Sequence, residues 1–301
     1  MKASEFRKQF DAELERSTTQ RRQAGHLARD EATGDDVLAE MTNRRLGAKR
    51  RAAAVGQAAE NATKRPQLMS TLIALIADTD EKVEVRRAAL AAVQASTFKT
   101  LEFRQWTPDY HDALRVAATD DDRNLRVQAL DILALNKDPY AQQLLLQGLQ
   151  KPRESLVRPV EAVRMLGYDV HAEHYPALRQ IVAESKQPAL RREALRVLAA
   201  DSSSVDLMRD IAGDRQEDRH ARTTAAIALQ SLAPKEFAKV ARDVVLDDED
   251  DNDLRASVIT ALARSPEQAG SDVVLKVREI DESPGGNRRL NRAARDFTER
   301  R

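Results

Sequence analysis

The sequence contains no cysteine among its 301 residues, only ten glycines and ten prolines, and few aromatic side chains. The absence of cysteine excludes disulfide bonds, thiol catalysis and cysteine-ligated zinc or iron–sulfur sites. The formal net charge is zero, from 49 basic and 49 acidic side chains, which removes the simplest argument for a dedicated nucleic-acid binder. Because the hydrophobic fraction of 42% is close to the globular norm, we expect the chain to fold.

Long hydrophobic runs are also missing. The longest stretches without a charged residue have twelve residues each, and they are Pro66–Ala77, Pro139–Gln150 and Thr223–Pro234. A membrane-spanning helix requires about 20 apolar residues. The first residues are too polar for a secretory signal peptide, since they include Lys2, Glu5 and Arg7. We therefore expect a cytoplasmic protein without membrane contact.

One short pattern recurs along the chain: an aliphatic or small residue, an arginine, two free positions, and then small or aliphatic residues. Val85–Leu90 is a clear copy, and Val157-Arg158 is a degenerate one. The recurrent arginines are separated by 40, 32, 33, 31 and 33 residues, and they are Arg86, Arg126, Arg158, Arg191, Arg222 and Arg255. This spacing predicts a tandem repeat.

Each repeat has the pattern of two short helices joined by a turn. In the first copy, Pro66 opens an apolar helical stretch, Asp78–Asp80 favours a turn, and a second helix is predicted from Lys82 to Ala95. Similar pairs fit Asp109–Leu135, Tyr140–Leu166, Tyr175–Leu198, Val205–Leu229, Lys235–Ala263 and Ala269–Phe297. No run alternates with period two, so the predicted class is all-α.

A two-helix unit of this size cannot bury its apolar face alone, so neighbouring units must stack. The prediction is a right-handed α-solenoid (superhelix) of stacked helical hairpins, with about six to eight HEAT-like repeats. We place an N-terminal helical cap at residues 1–45, the repeat array at 46–264, and a degenerate repeat with a basic cap at 265–301.

From about Pro66 to Arg264 the chain resembles HEAT-repeat α-solenoids, in particular the short bacterial type found in phycobilisome lyases. The resemblance rests on a turn Asp followed six residues later by Arg, as in Asp80/Arg86 and Asp120/Arg126. In that family the pair forms a ladder of hydrogen bonds between successive repeats. The resemblance is specific for fold and not for function.

The same register predicts an interrupted ladder in this chain. The turn Asp is replaced in the pairs Pro152/Arg158, Ser185/Arg191 and Gln216/Arg222, and Glu249 stands before Arg255. The fixed phase of the arginines with the apolar positions indicates that they tie repeats together and are not ligand contacts.

Four of the chain's eleven aromatic residues fall within thirteen residues, at and after the longest inter-helix insertion, Ser96–Thr107. They are Phe98, Phe103, Trp106 and Tyr110. Exposed aromatics in a long loop favour an interface, so these residues are the candidate binding site. The alternative is that the aromatics fold back onto the edge of the array.

Two further clusters contain side chains of the types that bind metal ions. The acidic run Asp247–Asp253 lacks the turn glycine and terminal glutamate of a calcium loop, and we interpret it as a solvated segment before a helix. His171 and His174 would share one helical face, but no partner pair is visible. The deoxyhypusine hydroxylases, HEAT-type enzymes, are recognised by His-Glu dipeptides that bind iron, and this sequence has none. We therefore predict no catalytic residue, metal or cofactor.

The predicted function is that of a non-enzymatic scaffold or adaptor for a protein or peptide partner. Nucleic-acid binding or DNA repair, as in HEAT-like glycosylases, is an alternative, supported by the basic segments Arg44–Arg51 and Arg288–Arg301. It is not favoured, because the net charge is zero and there is a single Trp. A chromophore lyase with chaperone-like action is a further alternative.

Overall fold

The structure is a computed structural model that describes residues 34–59, 61–98, 100–170, 173–282 and 287–300. The chain forms two compact units, Met1–Leu133 and Ala134–Arg301. Throughout the described residues the regular structure is helical, with no strand, so the all-α prediction is confirmed. None of the helices in the described ranges is both long and apolar enough to cross a bilayer.

The first unit contains helices of four to fourteen residues that follow one another through short turns. They are α1 (34–42), α2 (Ala48–Ala58), α3 (Pro66–Ala77), α4 (Val83–Ser96), α5 (Thr100–Phe103), α6 (Thr107–Ala117) and α7 (Arg123–Leu135), whose last two residues belong to the second unit. Short 3-10 turns lie at Ala62–Lys64 and Arg104–Trp106. The predicted N-terminal cap lies largely outside the described residues, which include only 34–45 of it.

The second unit continues the same alternation of helices. They are α8 (Pro139–Gln150), α9 (Pro159–Leu166), α10 (Tyr175–Glu184), α11 (Pro188–Leu198), α12 (Val205–Gly213), α13 (Arg219–Leu232), α14 (Pro234–Leu246), α15 (Asn252–Leu262), α16 (Ser271–Glu282) and α17 (Arg288–Arg300). Three 3-10 turns lie at Pro152–Glu154, Ser202–Ser204 and Pro266–Gln268. The helix pairs predicted from the sequence coincide with α8/α9, α10/α11, α12/α13, α14/α15 and α16/α17.

Local sequence explains where these helices start. Proline occupies the first or second position of seven of them, where its missing N–H removes no intrahelical bond. Aspartate caps others: Asp218 accepts hydrogen bonds from the backbone N–H groups of His220 and Ala221, both at 3.1 Å, and Asp251 does the same at the start of α15. A side-chain oxygen at this position satisfies donors that the helix itself cannot.

Packing within each unit joins both neighbouring and successive hairpins. In the first unit α4 packs against α2 and α3, and α3 also packs against α6. In the second unit a continuous core runs from Val163 to Phe297, with α13 in contact with α11, α12, α14 and α15. The core is filled by small alanines together with Leu, Ile and Val, so each hairpin buries its apolar face against the next.

Candidate functional site

The aromatic insertion is mostly helical and not the loop that the sequence predicts, because α5 and the following 3-10 turn occupy Thr100–Trp106. Phe103 and Tyr110 are buried, at 5% and 2% exposure, and their rings form an edge-to-face pair with centroids 5.6 Å apart. Burial raises the pKa of Tyr110 well above its ordinary value. Trp106 is half-buried. Two of the four candidate binding residues therefore lie inside the first unit.

Two apolar side chains beside this cluster face solvent. Phe98 is 86% exposed and Leu101 is 88% exposed, the highest fractions among the exposed large hydrophobic residues. Phe98 follows the end of α4, and Leu101 is the second residue of α5. Sequence analysis singled out Phe98 but missed Leu101, because a helix of four residues is too short to show which face is buried. We call these two residues the Phe98–Leu101 patch.

Three of the six recurrent arginines, together with Arg51, which the sequence pattern missed, tie successive hairpins together through a repeated set of bonds. Arg222 illustrates it: its Nε donates to the carbonyl of Ala212, near the end of α12, at 3.1 Å. Its two Nη atoms donate to the two carboxylate oxygens of Asp250, in the α14–α15 turn, at 2.7 and 2.8 Å. Each such guanidinium satisfies a carbonyl that the helix terminus leaves unpaired, and it also holds a carboxylate from the following hairpin.

The same arrangement appears at three other arginines. Their carboxylate partners lie 26 to 34 residues further along the chain, in the next turn, and the pairs are Arg51–Glu81, Arg86–Asp120 and Arg191–Glu217. Their carbonyl partners are Met41, Ile76 and Val182. We call these four pairs the arginine fasteners. Arg51, Arg86 and Arg222 are at most 4% exposed, so these arginines are not available to a ligand.

Burial and pairing act in opposite directions on the carboxylates of these pairs. Burial raises the pKa of Asp250, but the hydrogen bonds and charge of Arg222, the backbone N–H of Asp251 and the charge of Arg215 together outweigh it and leave that pKa below its ordinary value. The same balance holds for Glu81: burial raises its pKa, but Arg51, the backbone N–H of Lys82 and the charge of Arg44 together lower it by more, so the net shift is downward. Both carboxylates are therefore held as anions against their guanidinium partners.

The register expected for the ladder needs correction at several positions. Arg51 binds Glu81, and the exposed Asp80 is not its partner. In three of the four turns the acid stands five residues before the next arginine and not six. The ladder therefore continues at Glu217, where the sequence predicted a gap, and it uses Asp250 in place of the expected Glu249. A glutamate or a shift of one residue can still reach the same guanidinium, because a turn has no fixed side-chain period.

Two of the remaining predicted ladder arginines, Arg158 and Arg255, bind differently. Arg158 is the N-cap residue of α9, and its mostly exposed guanidinium pairs with Glu161 of the same helix at 2.6 Å. Arg126 donates to the backbone carbonyls of Asp120 and Asp121 in its own turn. Arg255 donates to the carbonyl of Val245 and to Asp248, which belongs to the turn just before it.

The acidic run Asp247–Asp253 is engaged in ion pairs and capping. Asp250 holds Arg222, Asp248 holds Arg255 and Lys276, and Asp253 pairs with Arg219 at 2.7 Å. Within the described ranges no group of three or more metal-ligating side chains has the geometry of a metal site. His171 lies outside the described residues, and His174 is 2% exposed with a pKa lowered by burial.

The two basic segments differ in how far their charges are neutralised. In the first, three arginines pair with carboxylates: Arg44 with Asp78, Arg50 with Glu40, and Arg51 with Glu81. In the second, Arg288, Arg292 and Arg300 are exposed on α17, and no partner is found for them among the described residues.

Comparisons with known proteins identify no family for this chain. No family model matches the chain, and no curated protein matches it in sequence. Among solved structures, it is similar to human deoxyhypusine hydroxylase in complex with glycerol, at 16% sequence identity and a TM-score of 0.35. That match covers 78% of this chain and 85% of the other. A TM-score below 0.5 does not establish a shared fold.

Proposed function

We propose that the chain is a non-enzymatic scaffold or adaptor that binds a protein or peptide partner, built as a HEAT-like α-solenoid. The arginine fasteners support the architecture, because a bond repeated from one hairpin to the next is the arrangement expected of stacked repeats. The Phe98–Leu101 patch carries the functional part of the proposal. Its two side chains are large and apolar, and they contribute almost nothing to the core of the first unit.

The patch can supply a useful part of a binding free energy. Burying a Phe or Leu side chain contributes roughly 1.5–3 kcal/mol relative to leaving it in water. The two together would therefore contribute about 3–6 kcal/mol at the centre of an interface, where hot-spot residues dominate affinity. The buried Phe103 and Tyr110 follow the patch closely in sequence and anchor this segment to the first unit.

Affinity purification from the native host tests this proposal. We expect the double variant Phe98→Ser/Leu101→Ser to lose the partner that the wild-type chain recovers. Leu275→Ser is the matched control, because Leu275 is also exposed, at 65%, and lies in the other compact unit. Recovery of the same partner in equal amount by the wild type and the double variant would refute a docking role for the patch.

Nucleic-acid binding is the second candidate, favoured by the exposed arginines of α17. Guanidinium groups match phosphate geometry, and Arg288 and Arg292 lie one helical turn apart. If this function holds, Arg288→Glu/Arg292→Glu should abolish a salt-dependent affinity for duplex DNA measured by fluorescence anisotropy. Affinity of the wild type that does not change with salt would argue against it. The chromophore-lyase alternative stays a prediction from the sequence.

A further inference from the structure

An open groove lies beside α8 in the second unit. It consists of two adjoining cavities of about 650 and 600 Å³ that share Gln150 in their walls. One cavity runs along α8 towards the segment that precedes α10, and the other lies between the end of α8 and the outer face of α10. The second helices of the same hairpins, α9 and α11, pack directly against each other. We call this feature the α8–α10 groove.

Glutamine amides line the groove. Five of them contribute to its walls: Gln142, Gln143, Gln147, Gln150 and Gln180. Three of these donate an N–H to a carboxylate, as Gln142 does to Asp169 at 3.0 Å and Gln180 to Glu184 at 3.1 Å. Gln143 and Gln150 are exposed, and no partner is found for them in the described part of the chain. Each therefore offers one free amide donor pair and one free carbonyl acceptor.

The two free amides lie on the same face of α8, where both can reach one edge of an extended polypeptide. Gln143 and Gln150 are seven residues apart on α8, which corresponds to about 10.5 Å along a helix axis. Residues that direct their N–H and C=O to the same edge of an extended chain recur about every 6.8 Å, and the flexible glutamine side chains can bridge the remaining few ångströms. A side-chain amide and a peptide group are chemically alike, so each glutamine can accept from the N–H and donate to the C=O of one residue of an extended chain. Leu146, Leu149 and Ile181 give the groove an apolar floor for alternate side chains.

The charge of the groove selects among ligands that carry peptide groups. Its walls hold the carboxylates Asp169, Glu173 and Glu184 and one ammonium, that of Lys151. Lys151 lies 3.4 Å from Glu154 and Asp169 lies 3.5 Å from Lys137, so the net negative charge of the groove comes from Glu173 and Glu184. A polyanion such as nucleic acid would be repelled, whereas lysine or arginine side chains would be attracted.

We propose that the α8–α10 groove binds an extended, basic peptide segment through its main chain, with Gln143 and Gln150 as the two principal contacts. This site is independent of the Phe98–Leu101 patch, which belongs to the first compact unit. An experiment that refutes binding at one of these two sites therefore does not count against binding at the other.

Fluorescence anisotropy with three labelled decapeptides tests the proposal. The first alternates Thr and Lys, the second alternates Thr and Glu, and the third is the Thr-Lys peptide with alternate backbone nitrogens methylated. We expect the full chain to bind the Thr-Lys peptide at least tenfold more tightly than either of the others. Methylation removes backbone donors and leaves the charge unchanged, so it separates main-chain recognition from simple charge attraction.

Variants of the chain complete the experiment. Gln143→Ala/Gln150→Ala should weaken binding of the Thr-Lys peptide at least tenfold, with an unchanged melting curve by circular dichroism, because alanine suits an exposed helical position. Gln57→Ala is the matched control, an exposed glutamine on α2, and should bind like the wild type. The proposal is overturned if the Thr-Lys peptide does not bind, if the acidic or the methylated peptide binds equally well, or if the double variant retains wild-type affinity.

Discussion

Replacing Arg222 with methionine tests the role of the arginine fasteners. The substitution keeps an unbranched side chain of similar length and removes the donors to Ala212 and Asp250. Both charged partners are almost fully buried, each with side-chain exposure of 5%. Removing one partner of a buried pair leaves an uncompensated charge, which typically costs about 3–5 kcal/mol. We expect a loss of stability in that range.

Urea unfolding followed by far-ultraviolet circular dichroism measures this loss. The double variant Arg222→Met/Asp250→Asn should be more stable than Arg222→Met alone, since it no longer buries an unpaired carboxylate. Arg158→Met is the matched control, because that arginine has the same place in the sequence repeat but a mostly exposed guanidinium. The reasoning fails if Arg158→Met and Arg222→Met shift the unfolding midpoint equally, or if the second substitution brings no recovery.

Three further predictions concern the second unit. A Cβ added at Gly167 would lie 2.6 Å from Val197 Cγ2, so Gly167→Ala should lower the free energy of unfolding by about 1–3 kcal/mol. Gly213 has open space around it, so Gly213→Ala should raise the free energy of unfolding by about 0.5–1 kcal/mol. Equal urea midpoints for the two variants would contradict this prediction. Because the pKa of Asp250 is lowered on folding, the stability it contributes should be lost as pH falls below about 4, and the Asp250→Asn variant should show a flatter pH profile of unfolding there. Burial lowers the pKa of His174, so the unfolded chain takes up that proton first, and wild-type stability should decrease as pH falls below 6.5; a His174→Gln variant with the same slope would refute this assignment.

Much of the fold follows from the sequence, because the helices obey local rules. Prolines and aspartates mark helix starts, and the arginine period locates the second helix of most hairpins. The predicted helix from Lys82 to Ala95 is observed as Val83–Ser96. The partner of each arginine was harder to predict, since it lies about 30 residues away in a turn. Glu81 and Asp250 take that place, one residue from the expected register.

The candidate sites were less predictable than the fold. The aromatic composition of the insertion drew attention to the segment that carries the Phe98–Leu101 patch, but it did not indicate which side chains face solvent. Phe103 and Tyr110 turn inward while Leu101 turns outward. The α8–α10 groove could not be predicted from the sequence. Glutamines are common on the exposed face of a helix, and a groove between two non-consecutive helices depends on their packing in three dimensions.

The position of the groove has a physical explanation in the break of the arginine pattern. Arg158 would fasten hairpin α8/α9 to the α10–α11 turn, but that turn, Ser185–Gln187, contains no carboxylate. Arg158 instead binds Glu161 of its own helix, and Ser185 lies in the wall of the groove. At the next two junctions of this unit, Arg191 and Arg222 hold the following turns. Arginines at the repeated position therefore bind other parts of the fold. We expect binding surfaces where the repeat pattern is broken: at the degenerate copy around Arg158 and at the insertion that carries Phe98.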